Sequence, residues 1–363
     1  MSEWGEDGSP PEPPPWTPPP EIPWEYLQRD EAREEPAPTW EPEPPVRPHV
    51  EYVEPEAPQA EVGEDQEFEQ DSGPERDSGY ERDSGYEEAA EPEAPSPAPS
   101  PFARPLPRIM AIANQKGGVG KTTTAVNLGA ALAEMGYRVL VVDLDPQGNA
   151  TTGVGINGRN LELSIYDVLM RDVPMEDCIE PTSVKKLFVC PATIDLAGAE
   201  IELVPAFSRE LRLRRGLDTV KEDFDFVLID CPPSLGLLTV NGLAAASEVV
   251  VPIQCEYYAL EGLGQLLRNI NLVQGALNPT LELGAIILTM FDARTNLAEQ
   301  VAAEVRNHFG TKVCRSIVPR TVRLSEAPSF GQPIIVFDPS SRGAIAYREL
   351  AKEVSGGAPQ RVG

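Results

Sequence analysis

The run Ile109-Met110-Ala111-Ile112-Ala113 passes through Asn114-Gln115 into Lys116-Gly117-Gly118-Val119-Gly120-Lys121-Thr122-Thr123-Thr124. It reads as a strand, a glycine-rich turn carrying two lysines, and the start of a helix. Glycines let the backbone curl so that consecutive N–H groups face one anionic point, and the following helix adds its positive end. Lys121 supplies a mobile cation and Thr122 a hydroxyl suited to magnesium, so the stretch reads as a cradle for nucleotide phosphates. A glycine turn that merely connects two elements is the plainer reading, and the specificity of the motif weighs against it. A dinucleotide fold would continue Gly118-Val119-Gly120 as GxGxxG. Thr123 stands where the third glycine belongs, and Lys121-Thr122 has no task in that fold.

Outward from this loop, strand-like runs rich in β-branched residues alternate with helix-length amphipathic stretches. That alternation predicts an α/β fold with a mostly parallel, doubly wound sheet. Strands are expected at 108–114, 138–143, 186–190, 226–230, 248–253, 283–289 and 312–317. Helices are expected at 122–134, 197–204 (stopped by Pro205), 207–217, 260–274, 297–309 and 343–353. In open sheets of this kind ligands sit beyond the strand C-terminal ends, where the glycine loop, Asp143/Asp145 and Asp230 all fall. Asp143-Leu144-Asp145 leaves its strand with two carboxylates on one side, so one can orient an attacking water; the pair also suits an ordinary strand end and turn. Phe226-Val227-Leu228-Ile229-Asp230 is an apolar strand closed by one acid, fitting a magnesium-holding aspartate. Cys231 beside it reads as a small buried side chain.

Charge is distributed unevenly over the 363 residues. Residues 1–107 hold 25 of the 39 prolines, all four tryptophans, no lysine, and 29 acidic against 6 arginine side chains, a formal −23 out of −28. Such a segment buries too little apolar surface to offset the entropy of ordering, so it is expected to be disordered, with extended polyproline conformation in places. It contains a three-copy hexapeptide repeat over residues 71–88, too short for a solenoid. The expected organisation is a tail over 1–107, a folded domain over 108–355 and a flexible end over 356–363. The start is acidic and proline-rich, and no apolar stretch is long enough to span a bilayer, so a soluble, non-secreted protein is expected. Five scattered cysteines favour reduced thiols, and two histidines leave little room for histidine metal sites or Ser-His triads. Residues 294–352 hold nine Lys/Arg against five acids, a modestly basic segment suited to phosphates or to a solvated, ion-paired surface.

Gln115 replaces the first glycine of the common GxxxxGK[ST] pattern, and Lys116 precedes the glycine pair. Lys116-Gly117-Gly118-Val119-Gly120-Lys121-Thr122 thereby resembles the deviant Walker A motif of the ParA/MinD class of P-loop ATPases. Residues 251–262 and 319–331 resemble its chromosomal ParA (Soj-like) branch, and the likeness covers 108–355 but none of the tail. The resemblance implies ATP and Mg²⁺ as cofactors, held by Gly117, Gly118, Val119, Gly120, Lys121, Thr122 and Thr123, with Thr122, Asp145 and Asp230 at the metal. It implies that Lys116 reaches the partner's ATP across a sandwich homodimer and that Asp145 is catalytic, with Lys116 and Lys121. It further implies nonspecific binding of double-stranded DNA through Arg294, Arg320 and Arg323, stimulation by a ParB-like centromere-binding protein, and a cytoplasmic, nucleoid-associated location. A MinD-like regulator is the alternative within the class, but Ala351-Lys352-Glu353-Val354 runs into Ser355-Gly356-Gly357 without a basic amphipathic helix, so no direct membrane anchor is expected. A nucleotide-gated positioning scaffold with little hydrolysis is the alternative outside it, and the tail's tryptophans suit docking on a polar scaffold.

Overall fold

The computed structural model describes residues 100–358; residues 1–99 of the expected tail and the last five residues lie outside that range. Eight strands form one sheet in the order β3-β4-β2-β5-β1-β6-β7-β8. They are β1 (Arg108–Ile112), β2 (Val139–Asp143), β3 (Glu180–Pro181), β4 (Leu187–Cys190), β5 (Phe226–Asp230), β6 (Glu248–Gln254), β7 (Glu282–Phe291) and β8 (Val313–Pro319). Every pairing is parallel except β3 with β4. The seven expected strands are present; the short antiparallel β3 is additional.

Helices cover both faces, so the central strands are buried throughout: β2 and β5 expose none of their five residues. One apolar cluster gathers Leu128, Leu132, Ile287, Tyr347 and Leu350 under α1 (Lys121–Glu134) and α11 (Arg342–Ser355). The other gathers Leu169, Leu217, Leu243, Leu266 and Val305 under α3 (Ile165–Arg171), α5 (Arg212–Val220), α6 (Leu237–Ala245), α7 (Ala259–Ala276) and α8 (Asn296–Phe309). Shorter helices α2 (Asn149–Gly153), α4 (Leu196–Glu202), α9 (Val322–Glu326) and α10 (Ile334–Phe337) edge the strand C-terminal ends or the loops beside them.

The helix expected over 207–217 is displaced. Ser208 takes a left-handed conformation (φ 49°), a 3-10 turn follows over Arg209–Leu211, and α5 begins only at Arg212. This register buries Leu213, Leu217 and Val220 while Phe207 is left exposed. Helices α2, α3, α6, α9 and α10 are not among the sequence expectations.

Packing begins ahead of β1. Phe102 is buried, and Arg108, 3% exposed, forms a two-pronged ion pair with equally buried Glu248 at 2.7 and 2.8 Å. The same guanidinium donates to the carbonyls of Phe102 and Val354. One buried cation thus ties the chain's approach to β1, the start of β6 and the end of α11 together at the sheet edge opposite the glycine loop.

Candidate active site

β1 ends between β5 and β6, and the turn after it is built on left-handed glycines, Gly118 at φ 71° and Gly120 at φ 87°. Gly120 also stands at the N-cap of α1, so the helix begins with no side-chain cap and its first N–H groups open toward the loop. Three contacts hold the loop in place. Asn114 donates to the Pro252 carbonyl at 2.8 Å and accepts from the Lys116 N–H at 3.0 Å, and the Thr289 hydroxyl donates to the Val119 carbonyl at 2.8 Å.

Lys121, 7% exposed, donates to the Lys116 carbonyl at 3.2 Å. Burial lowers its pKa, and the neighbouring Asp230, Cys231 and Asp145 pull it back up, so an ammonium here has acids close by. Lys116 is on the surface and forms a 2.5 Å ion pair with Glu256, whose other oxygen accepts from Gln254. Glu256 as the counter-ion of Lys116 is not anticipated from the sequence, because the two are 140 positions apart.

Asp143 and Asp230 end neighbouring strands in register, and both are wholly buried. Asp143 is fully engaged: it accepts from the Thr151 N–H and hydroxyl at 2.8 and 2.7 Å and from the Asp145 N–H at 3.1 Å. The Thr151 hydroxyl in turn accepts from the Ala192 N–H. Asp143 therefore anchors α2 to the end of β2, a structural task that its position in the sequence does not disclose. Burial raises its pKa from 3.8 to about 6 in spite of those bonds. Asp230 is the opposite case. Neither of its buried oxygens has a hydrogen-bond partner of normal geometry, although the Thr122 hydroxyl lies near enough to stabilise the charge. Burial first, and then the Asp143 carboxylate, push its pKa well up, while the nearby Thr122 hydroxyl and Lys121 ammonium offset this only in part. A buried acid with two unsatisfied oxygens beside a threonine hydroxyl fits a hard divalent cation such as Mg²⁺. Asp145, half-buried, instead accepts from the Gln147 N–H at 3.0 Å and caps its own loop.

A cavity of about 310 Å³ opens beside Gly120, lined by Thr289, Met290, Pro319, Arg320 and Leu324. Met290 holds a left-handed conformation (φ 49°) that is unusual for a long side chain. The five cysteines are all buried and free; for Cys231, burial pushes the thiol up, in keeping with a small core side chain.

The three expected arginines lie at the ends of β7 and β8. Arg294, in the β7–α8 loop, is exposed and doubly paired with Asp292 at 2.6 and 2.8 Å; Arg320, also exposed, follows β8 and lies near the same carboxylate. Arg323, on α9, pairs with Glu326 at 3.1 Å and Asp338 at 3.4 Å. Elsewhere in the basic segment Arg348 pairs with Glu134 and Lys352 with Glu349, so much of its charge is matched locally. Among the described residues no helix is long and apolar enough to cross a membrane.

A parallel α/β sheet, a left-handed glycine turn with two lysines at its central switch point, and an unsatisfied acid at the end of the adjacent strand define a P-loop nucleotide-binding protein. A family model described as an AAA domain matches residues 107–283. The sporulation initiation inhibitor protein Soj of Bacillus subtilis is 60% identical over 248 residues, 68% of this chain and 98% of that protein. The chromosome partitioning protein ParA of Myxococcus xanthus is 55% identical, over 68% and 87%. A Mycobacterium smegmatis structure described as cobyrinic acid a,c-diamide synthase with bound ADP and magnesium is 44% identical, with a TM-score of 0.60 over 68% of this chain and 93% of that one. The chain belongs to the ParA/Soj family of chromosome-partitioning ATPases.

Proposed function

We propose that the protein is a magnesium-dependent ATPase whose nucleotide-bridged homodimer holds double-stranded DNA without sequence preference and lets go on hydrolysis stimulated by a ParB-like partner. The observation that carries this reading is the unsatisfied Asp230 carboxylate, buried beside Lys121 and Thr122 in front of a left-handed glycine turn.

In this reading the N–H groups from Gly117 to Thr123 converge on the phosphates, and the Lys121 ammonium follows the negative charge as it builds. Thr122 and Asp230 would hold Mg²⁺. The ion supplies charge neutralisation to phosphate oxygens. Asp145, freed from its own loop, orients the attacking water. Lys116, paired at the surface with Glu256, is free to swing to the partner's nucleotide, which makes dimer and nucleotide depend on each other. The cavity beside Gly120 would take the nucleoside end. Arg294, Arg320 and Arg323 would meet DNA phosphates, Arg294 and Arg323 exchanging their present carboxylate partners for them. A nucleoid-associated location follows from that contact.

The test is nucleotide-dependent DNA retention at moderate salt, with Arg323→Glu and Asp145→Ala as the two variants. Arg323→Glu should lose retention while still binding ATP; Asp145→Ala should retain DNA and fail to release it. Unchanged retention in Arg323→Glu sinks the assigned face, and turnover at the parental rate in Asp145→Ala sinks the catalytic assignment.

A further inference from the structure

Asp145 opens a loop that is tied down at each step. The Gly148 N–H donates to its carbonyl at 2.9 Å, the Gln147 N–H to its carboxylate, and Thr151 is clamped on Asp143. α2 is thus joined to the site both through the Asp145 loop and, by Thr151 on Asp143, through the end of β2. Past α2 the chain turns through Gly155 (φ 90°) and meets Gly331 (φ 62°), which closes the 3-10 turn Ala327–Phe330 directly after α9. A Cβ on Gly155 would lie 2.9 Å from the Gly331 carbonyl oxygen, and one on Gly331 would lie 3.0 Å from the Gly155 Cα. Two backbones touch here with no side chain between them. Ala150, Val154, Leu324 and Ala327 around the contact are buried in one apolar cluster, so it has little room to give.

The opposite side of the Arg323 ion pair is anchored elsewhere. The Asn127 side chain, on α1, accepts from the Ile334 N–H at 2.6 Å and donates to the Thr123 carbonyl at 2.7 Å. This fixes α10 to the helix that follows the glycine loop, and Asp338 caps α10 with its N–H on the Ile334 carbonyl. Arg323 thus sits on the segment that touches the chain after α2, and Asp338 on the segment tied to α1. A 3.4 Å pair joins the two segments.

We propose that the Gly155–Gly331 contact is a coupling element: a shift of the Asp145 loop relative to α1 is transmitted through it to α9, altering the Arg323–Asp338 pair. Packed contacts of this kind move as rigid bodies, and small shifts at one end reappear at the other. The consequence for DNA rests on the role proposed above for Arg323; the coupling itself does not.

The experiment is amide hydrogen exchange on the full chain without nucleotide, with Mg²⁺ and ADP, and with Mg²⁺ and ATP, in the parent, Gly155→Ala and Gly331→Ala. In the parent, peptides covering 145–156 and 322–332 should change together over the same range of ATP concentration. In either variant the 145–156 response should persist while that of 322–332 falls by about fivefold or more, the lower end of common coupling factors. No response of 322–332 in the parent, or an undiminished one in a variant that still responds at 145–156, overturns the coupling. Should both variants fail to fold, the parent with Mg²⁺ and tripolyphosphate, which has no nucleoside to enter the cavity at Leu324 and Pro328, decides the matter: a 322–332 response alongside that of 145–156 supports the coupling, and a silent 322–332 while 145–156 responds overturns it. No DNA is present, so failure of this coupling is distinguishable from failure of the DNA assignment, which the Arg323→Glu retention assay reads separately.

Discussion

Replacing Asp230 by asparagine sets stability against function at a single atom pair. Asp143 and Asp230 lie in register with no exposure, and the Asp143 carboxyl is held at about 6 against an ordinary 3.8. A carboxyl whose pKa is higher folded than unfolded weakens the fold as it ionises: the folded chain binds the extra proton, so stability is retained below about pH 4 and lost as pH rises through the folded value. At about 1.4 kcal/mol per pKa unit, Asp143 alone accounts for about 3 kcal/mol lost at pH 7. Asp230 is pushed up by burial and by the same neighbour, so its charge carries a cost of the same sign. Asparagine removes one charge, keeps the shape, and offers an amide donor to Asp143. Recovery of about 1–3 kcal/mol at about 2–4 °C per kcal/mol places the variant's melting temperature roughly 2–12 °C above the parent's at pH 7, without nucleotide and with metal chelated. The gain should shrink toward pH 4. The magnesium-dependent part of the ATP-induced rise in melting temperature should vanish, because the metal-facing carboxylate is gone. Calorimetric melts across pH, with and without Mg²⁺ and ATP, read both halves. A melting temperature below the parent's at pH 7, or an undiminished magnesium-dependent ATP shift, refutes the reasoning.

Glu248→Ala strands the Arg108 guanidinium in the interior and should cost about 3–5 kcal/mol in denaturant unfolding, with nucleotide affinity of the surviving fold unchanged. Gly120→Ala puts a Cβ on a residue at φ 87° where it would meet Thr289 and Met290 at ordinary contact distances of 3.8–3.9 Å, so loss of ATP binding measured by fluorescent-nucleotide titration should come from backbone strain, with only about 1–2 kcal/mol lost in melting. Arg323→Ala, milder than the charge reversal, should weaken DNA retention and flatten its dependence on log salt by about two units, one contact from each subunit of the dimer, a slope read from binding at several salt concentrations. Asp145→Ala should lower steady-state turnover by about a hundredfold or more while leaving equilibrium ATP binding within about twofold.

The strands and the glycine loop were legible in the sequence because their signals are local: apolar β-branched runs, each ending in a turn or an acid. Asp143 and Asp230 were placed at strand C-terminal ends for the same reason, with Asp145 two residues beyond the first. The helix α6 was not, since Leu237–Ala245 buries nearly its whole surface and shows no amphipathic period to read. α3 had a local signal that went unused, the Ser164…Asp167 spacing, which the structure shows as a capping box. The displaced start of α5 depends on a left-handed serine that nothing in its neighbours announces. The rest is distant in sequence: Arg108 with Glu248, Lys116 with Glu256, and Gly155 with Gly331 are each separated by at least 140 positions, and only the fold brings them together. The division of labour between the two buried aspartates was equally hidden. Asp143 is satisfied by the N–H groups of Asp145 and Thr151 and by the Thr151 hydroxyl, all from the loop and helix that follow it, and Asp230 has no such following donors.

The most direct test of the central claim is retention of nonspecific duplex DNA by the full chain, measured without nucleotide, with Mg²⁺ and ADP, and with Mg²⁺ and ATP, before and after a ParB-like partner is added. The expected result is retention with Mg²⁺ and ATP before the partner is added, and its loss, together with a rise in phosphate release, when the partner arrives. Retention that ignores the nucleotide, or a partner that changes neither retention nor phosphate release, contradicts it.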